Sequence, residues 1–250
     1  MPDTLGAALA LPGLGWLIAA AAVAGLVRGF SGFGTAMVFL PVAGQFVPPV
    51  AAITVLAVMD AFGPLPNLPR ALRDGDPADI GRLLAGTLLL LPVGLAVLSV
   101  LDPAVFRSLV GAVALTLVAC LILGLRYRGR LRPRMVFGIG GVAGFLGGAA
   151  GVPGPPVILF YMASPQPAAV IRANTMLYLF SFDLLILAML WAWGGLAWPP
   201  VLLGLVLVAP VVLGNMAGAA LFRPAYERVY RGVAYAIVAG SALSGLPVWG

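Results

Sequence analysis

Four charged residues stand inside or beside runs that are otherwise apolar. Asp60 in "AVMDAFGPLPN" and Asp183 in "LFSFDLLIL" interrupt aliphatic and aromatic stretches, while Arg28 and Arg172 ("VIRANTMLYLF") flank two glycine-rich segments. A carboxylate at the centre of a membrane helix costs about 2.5–3.5 kcal/mol on insertion scales and is a functional hypothesis by default. Asp60 and Asp183 are therefore candidates for carrying a coupling ion, H+ or Na+. The alternative for each is an arginine partner or a place near the interface. A guanidinium offers a planar fork of donors that suits oxyanions, which makes Arg28 and Arg172 candidates for neutralising an anionic substrate. Both also lie where a snorkelling arginine belongs. Asn174 follows Arg172 closely, and its amide suits a substrate and a neighbouring helix equally.

What is missing narrows the chemistry. The sequence has no histidine, so it offers no histidine base, proton relay or zinc site. Its single cysteine, Cys120, cannot form an internal disulfide and lies in an apolar run, which reads as a buried structural thiol. No nucleotide-binding loop is present, and no cofactor or metal is expected. Catalysis would fall to Asp60 and Asp183 alone, and neither context resembles a paired-acid site. An enzyme is not expected.

The elements that must hold these residues follow from composition. Of 250 residues, 62% are hydrophobic and 9% charged, with a mean hydropathy of +1.10. Soluble domains carry charge on about a quarter of their residues. Uncharged runs cover Thr4–Val27, Leu83–Leu101, Ser108–Leu125, Met135–Ile171, Leu184–Phe222 and Gly232–Gly250. A bilayer core takes about 20 apolar residues per helix, so several runs fit one crossing and two fit a pair. Short alternating segments of the β-barrel kind do not occur. The reading is an all-α polytopic membrane protein. The first apolar run lacks a basic start and reads as a membrane helix rather than a signal. The net charge of +6 rests on arginine alone, without interleaved aromatics, and so speaks for membrane orientation and not for nucleic acid.

The chain also repeats itself. "VFRSLVGAVA" (Val105–Ala114) matches "VYRGVAYAIV" (Val229–Val238) at an offset of 124 residues, and "RGFSGFG" (Arg28–Gly34) matches "GGAAGVPG" (Gly147–Gly154) with one residue inserted near Pro153. Two homologous membrane halves follow, 1–125 and 135–250, joined by the linker "RYRGRLRPR" (126–134) with five arginines and no acid. Under the positive-inside rule this linker is cytoplasmic. Two further arginine loops, at Arg70 and Arg73 and at Arg223, Arg228 and Arg231, join it inside only if each half crosses five times; Arg107 is then the exception. An odd number inverts the second half against the first, the inverted-topology plan of many secondary transporters.

The glycine motifs then acquire a purpose. Membrane helices break only where protein or a water-filled cavity satisfies the freed backbone. Gly29, Gly32 and Gly34 in one half, and Gly148, Gly151 and Gly154 in the other, supply such a break, each followed by a short half-helix. Ser31 and Thr35 are expected to cap the first half-helix, and Pro155 and Pro156 suit the first turn of the second. Free N–H groups at a helix start favour an anion. Gly25-xxx-Gly29 and Gly140-xxx-Gly144-xxx-Gly148 also have the spacing of close helix packing. The expected substrate-binding set is Arg28, Gly29, Ser31, Gly32, Gly34, Thr35, Gly148, Gly151, Gly154, Arg172 and Asn174.

"GFSGFGTAMVFLP" paired with "GFLGGAAGVPGPPVILFYM", in a chain of this length and repeat plan, resembles the TauE/SafE sulfite exporter family, also known as the toluene sulfonate uptake permeases. The resemblance implies secondary transport of a small sulfur-containing anion (sulfite, thiosulfate, sulfoacetate or another organosulfonate), with ion coupling, in the inner (cytoplasmic) membrane of a bacterium. An anion channel, or a membrane subunit of a larger complex, is the alternative. Neither the direction of transport nor the oligomeric state follows from the residues, nor whether the short helices cross or re-enter.

Overall fold

The structure, a computed structural model, describes residues 6, 10–125, 127, 129, 131–161, 166–221 and 227–247. The expected cytoplasmic arginines Arg126, Arg128, Arg130 and Arg223 lie outside the described residues. Among the described residues all regular structure is helical. In chain order the helices are α1 (Leu14–Ser31), α2 (Thr35–Ala43), α3 (Pro49–Phe62), a 3-10 turn (Leu65–Asn67), α4 (Leu68–Asp74), α5 (Pro77–Val100) and α6 (Pro103–Ile122). The second half continues with α7 (Pro133–Ala150), α8 (Gly154–Tyr161), α9 (Ala168–Ala192), α10 (Trp198–Leu221) and α11 (Glu227–Ser244).

Local chemistry sets these boundaries. Proline opens α3, α5, α6 and α7, at the position where a missing N–H costs nothing. Asp76 caps α5 by accepting from the N–H of Ala78 at 2.9 Å and of Asp79 at 3.3 Å, and Asp102 caps α6 through Ala104 N–H at 2.7 Å. Among the described residues four helices are long and apolar enough to cross a membrane: α5, α6, α9 and α10. The protein is a polytopic α-helical membrane protein. α1 and α7 have 18 residues each, and α2 and α8 only 9 and 8.

Small residues dictate the principal packing. α10 lies along α1, and α7 along α5. Gly25 and Gly29 of α1 face the α10 backbone at Val211, Asn215 and Gly218; Gly140, Gly144 and Gly148 of α7 face the α5 backbone at Leu83, Thr87 and Leu91. A Cβ at Gly148 would lie 2.7 Å from the carbonyl oxygen of Leu91. Without an apolar driving force between helices in lipid, such close backbone approach is what holds them together. Between α5 and α7 the buried Thr87 hydroxyl, shared with Gly140 O at 3.0 Å and the Tyr178 hydroxyl at 2.9 Å, adds the link to α9.

Both expected breaks are present. α1 ends at Gly32 (φ 80°) and α7 ends at Gly151 (φ 70°), each a left-handed residue that lacks the Cβ penalty. Gly32 returns its N–H to Arg28 O at 2.7 Å, and Gly151 returns its own to Gly147 O at 2.9 Å. Gly25, Gly29 and Gly32 stand against Gly144, Gly148 and Gly151 at a constant offset of 119 residues.

The expected caps of α2 are not formed. Gly34, at φ 108°, takes the N-cap position of α2 with no side-chain cap. The Ser31 hydroxyl instead closes the end of α1, 2.6 Å from Val27 O and 2.7 Å from Phe33 O. The same oxygen accepts the Phe33 N–H at 3.3 Å, the local side-chain-to-backbone bonding by which serine competes with the helix ladder.

Candidate functional site

The two breaks meet. The C-terminal end of α1, the N-terminal end of α2, the Gly151–Pro153 turn and the N-terminal end of α8 line one cavity, closed by α3 and α9. Its space is about 510 Å3 including the open mouth. Arg28, Gly32, Gly34, Thr35, Asp60, Gly151, Gly154 and Asp183 all line it. Residues 28 and 183 are far apart in the chain. The fold brings them together because α3 and α9 pack side by side and the broken helices end against them.

The charges are arranged unequally. Arg28 Nη1 lies 2.8 Å from Asp60 Oδ1, and each side chain is 14% exposed. The contact is an ion pair without hydrogen-bond alignment, since Asp60 Oδ1 accepts no well-directed bond. The same Arg28 Nη1 is 3.5 Å from Thr35 Oγ1, at the outer limit of a hydrogen bond. Asp183 is 9% exposed and, among the described residues, has neither an ion-pair nor a hydrogen-bond partner. It remains within electrostatic reach of both Arg28 and Asp60.

Backbone donors come mainly from one side. The first turn of α2, at Thr35, Ala36 and Met37, has N–H groups that no earlier turn can satisfy. In α8, Pro155 and Pro156 have none, which leaves Gly154 and Val157. The anion-favouring features, Arg28 and the α2 terminus, thus both belong to the first half.

Other expected site residues lie elsewhere. Gly29 and Gly148 face helix neighbours instead of the cavity: the α10 and α5 backbones occupy the space where a substrate would have to stand. Ser31 is held by its own turn. Arg172 is exposed near the start of α9 and does not line the cavity. Asn174 is fully buried, but its Oδ1 accepts the Asp76 N–H at 2.7 Å and so holds the turn before α5. Arg172 and Asn174 sit near the start of the 25-residue α9, and Asp183 is more than two turns further along, which is why the first two miss the cavity and the third reaches it.

The sequence reading missed the apolar wall, which includes Phe33, Leu56, Ile158 and Leu179. One signal was available. Leu56 and Asp60 recur as Leu179 and Asp183 at a single offset of 123 residues, each pair spaced four apart on one helix face. Among the described residues no group of three or more His, Cys, Asp or Glu could hold a metal.

The sequence matches the model of a family described as Sulfite exporter TauE/SafE over residues 17–245. Comparison with curated proteins and with solved structures returns no match.

Proposed function

The chain belongs to the TauE/SafE sulfite exporter family, a family of membrane transporters, and we propose that it moves a small sulfur-containing anion such as sulfite, thiosulfate, sulfoacetate or another organosulfonate through the cavity between its two broken helices. The single observation that carries this reading is the convergence of both glycine breaks, Arg28 and an uncapped α2 terminus on one small space. Discontinuous helices whose starts face a shared site are how many secondary transporters hold an anion while keeping their backbone satisfied. Arg28 supplies the charge, and the α2 N–H groups supply direction.

The halves 1–125 and 135–250 act, in this reading, as inverted repeats that rock about the cavity. The reciprocal packing of α1 on α10 and α7 on α5 supports it, because a twofold relation between halves exchanges partners in this way. Access alternates as one pair of helices tilts against the other, with an ion gradient as the source of energy. Substrate leaves when Arg28 returns to Asp60.

The test is exchange of labelled thiosulfate into proteoliposomes preloaded with unlabelled thiosulfate. Saturable exchange inhibited by sulfite and sulfoacetate, and lost in Arg28→Gln, is expected. Exchange that acetate inhibits and sulfite does not would remove the substrate class. Flux that rises without saturation would indicate a channel.

A further inference from the structure

The cavity holds one arginine against two aspartates, and the excess acid has a definite location. Asp60 is already engaged by Arg28 at 2.8 Å. Asp183 faces the same space with no partner of its own among the described residues. Resting on the transport reading above, we propose that Asp183 carries one proton with each anion, while Asp60 is the standing counter-ion of Arg28.

Among the described residues, the surroundings of Asp183 contain nothing else to neutralise it. The charged or titratable groups within its reach are Arg28 at the end of α1, Asp60 of α3 and Tyr178 on α9 itself. α8 presents none from Gly154 to Phe160. On α5 the only such groups, Asp79 and Arg82, are near its start and paired with each other at 2.8 Å. Those on α4, Arg70, Arg73 and Asp74, lie in a short helix before α5, with Arg70 and Asp74 paired to each other.

Comparison of the halves explains the imbalance. At the offset of 119 residues that relates the helix-ending glycines, Arg28 corresponds to Gly147. A side chain there has no room, because the Phe182 ring and Pro153 fill its place. The second half therefore has the acid, at Asp183, without the base.

An oxyanion entering beside an ionised Asp183 would meet a cavity with net negative charge and an unscreened like charge in a poorly solvated space. A proton on an Asp183 carboxyl oxygen brings the cavity to neutrality before the anion adds its own charge. In the cycle, water on the entry side supplies that proton. The carboxyl oxygen holds it while the cavity is occluded, and water on the exit side receives it as the anion leaves. No oxidant, reductant or covalent intermediate is involved.

The experiment uses full-length protein in proteoliposomes with labelled thiosulfate and an imposed inward proton gradient. Wild-type protein is expected to accumulate thiosulfate along with the gradient. Asp183→Asn should lose the response to the gradient, Asp183→Glu should recover it, and Asp60→Asn should slow transport yet keep it. Gradient-driven accumulation in Asp183→Asn, loss of the response in Asp60→Asn alone, or driving by a sodium gradient overturns the proposal. A folded Asp183→Asn protein that neither binds nor exchanges thiosulfate also overturns it, since asparagine mimics the neutral acid. Failure of the wild type to exchange thiosulfate counts against the substrate reading instead. Infrared spectroscopy then decides the proton: a protonated-carboxyl band removed by Asp183→Asn and not by Asp60→Asn upholds the assignment, and its survival in Asp183→Asn refutes it.

Discussion

Arg28 and Asp60 form an ion pair at 2.8 Å on the wall of a cavity where the chain twice leaves helical geometry. Both side chains are largely withdrawn from water, and their contact lacks hydrogen-bond alignment. An oxyanion entering the cavity would compete with Asp60 for the same guanidinium. Removing one partner of such a pair leaves a charge poorly compensated.

Asp60→Asn should expose that competition. With its counter-ion gone, Arg28 is free for substrate, and thiosulfate should bind tighter by on the order of tenfold, equivalent to about 1.4 kcal/mol. Without thiosulfate the same variant should be less stable than wild type, because the buried guanidinium has lost its partner. Thermal melts with and without thiosulfate check both signs at once. Equal stabilisation of variant and wild type by thiosulfate would count against competition.

Arg28→Lys should retain the charge and lose the fork. An ammonium cannot meet two oxygens of one oxyanion in a plane, so binding should weaken by about 1–3 kcal/mol. Calorimetry with thiosulfate reads this directly, and salt should alter it little, since screening is weak for a group only 14% exposed.

Glycine substitutions should separate packing from the site. Gly148→Ala places a Cβ 2.7 Å from Leu91 O and 2.8 Å from Leu95 N on the α5 backbone, and should destabilise the fold by about 1–3 kcal/mol. Gly32→Ala meets open space and should cost only the left-handed conformation, about 1–2 kcal/mol. Melting in detergent ranks the two, and a neutral Gly148→Ala would refute the close α5–α7 approach.

Asn174→Ala should act on stability and leave affinity alone. Its amide oxygen accepts the Asp76 N–H at 2.7 Å, and loss of that acceptor should cost about 1–3 kcal/mol. Arg172→Ala, an exposed change on the same helix, should fall within about 0.5 kcal/mol of wild type. A large loss of thiosulfate affinity in either variant would return these residues to the site.

Much of this arrangement is legible in the sequence, and the rest is withheld for identifiable reasons. The glycine breaks at Gly32 and Gly151 can be read because few residues other than glycine end a helix in left-handed geometry. Asp60 and Asp183 can be read because acids are rare in apolar runs. Arg28 and Arg172 cannot be told apart by type. What separates them is depth: one stands at the end of a helix that stops at the cavity, the other near the start of a 25-residue helix. Ser31 and Thr35 satisfy the composition of a cap, yet the positive φ at Gly34 turns the chain so that neither forms it. Leu56 and Leu179 look like any other membrane leucine until their shared spacing to the two aspartates is noticed.

The most direct measurement is calorimetric titration of thiosulfate into purified wild-type protein and into Arg28→Gln. One saturable site in the wild type, absent from a folded Arg28→Gln, is expected if the cavity between the broken helices holds the anion. Equal binding by both proteins, or a wild type that binds acetate and no sulfur oxyanion, would contradict it.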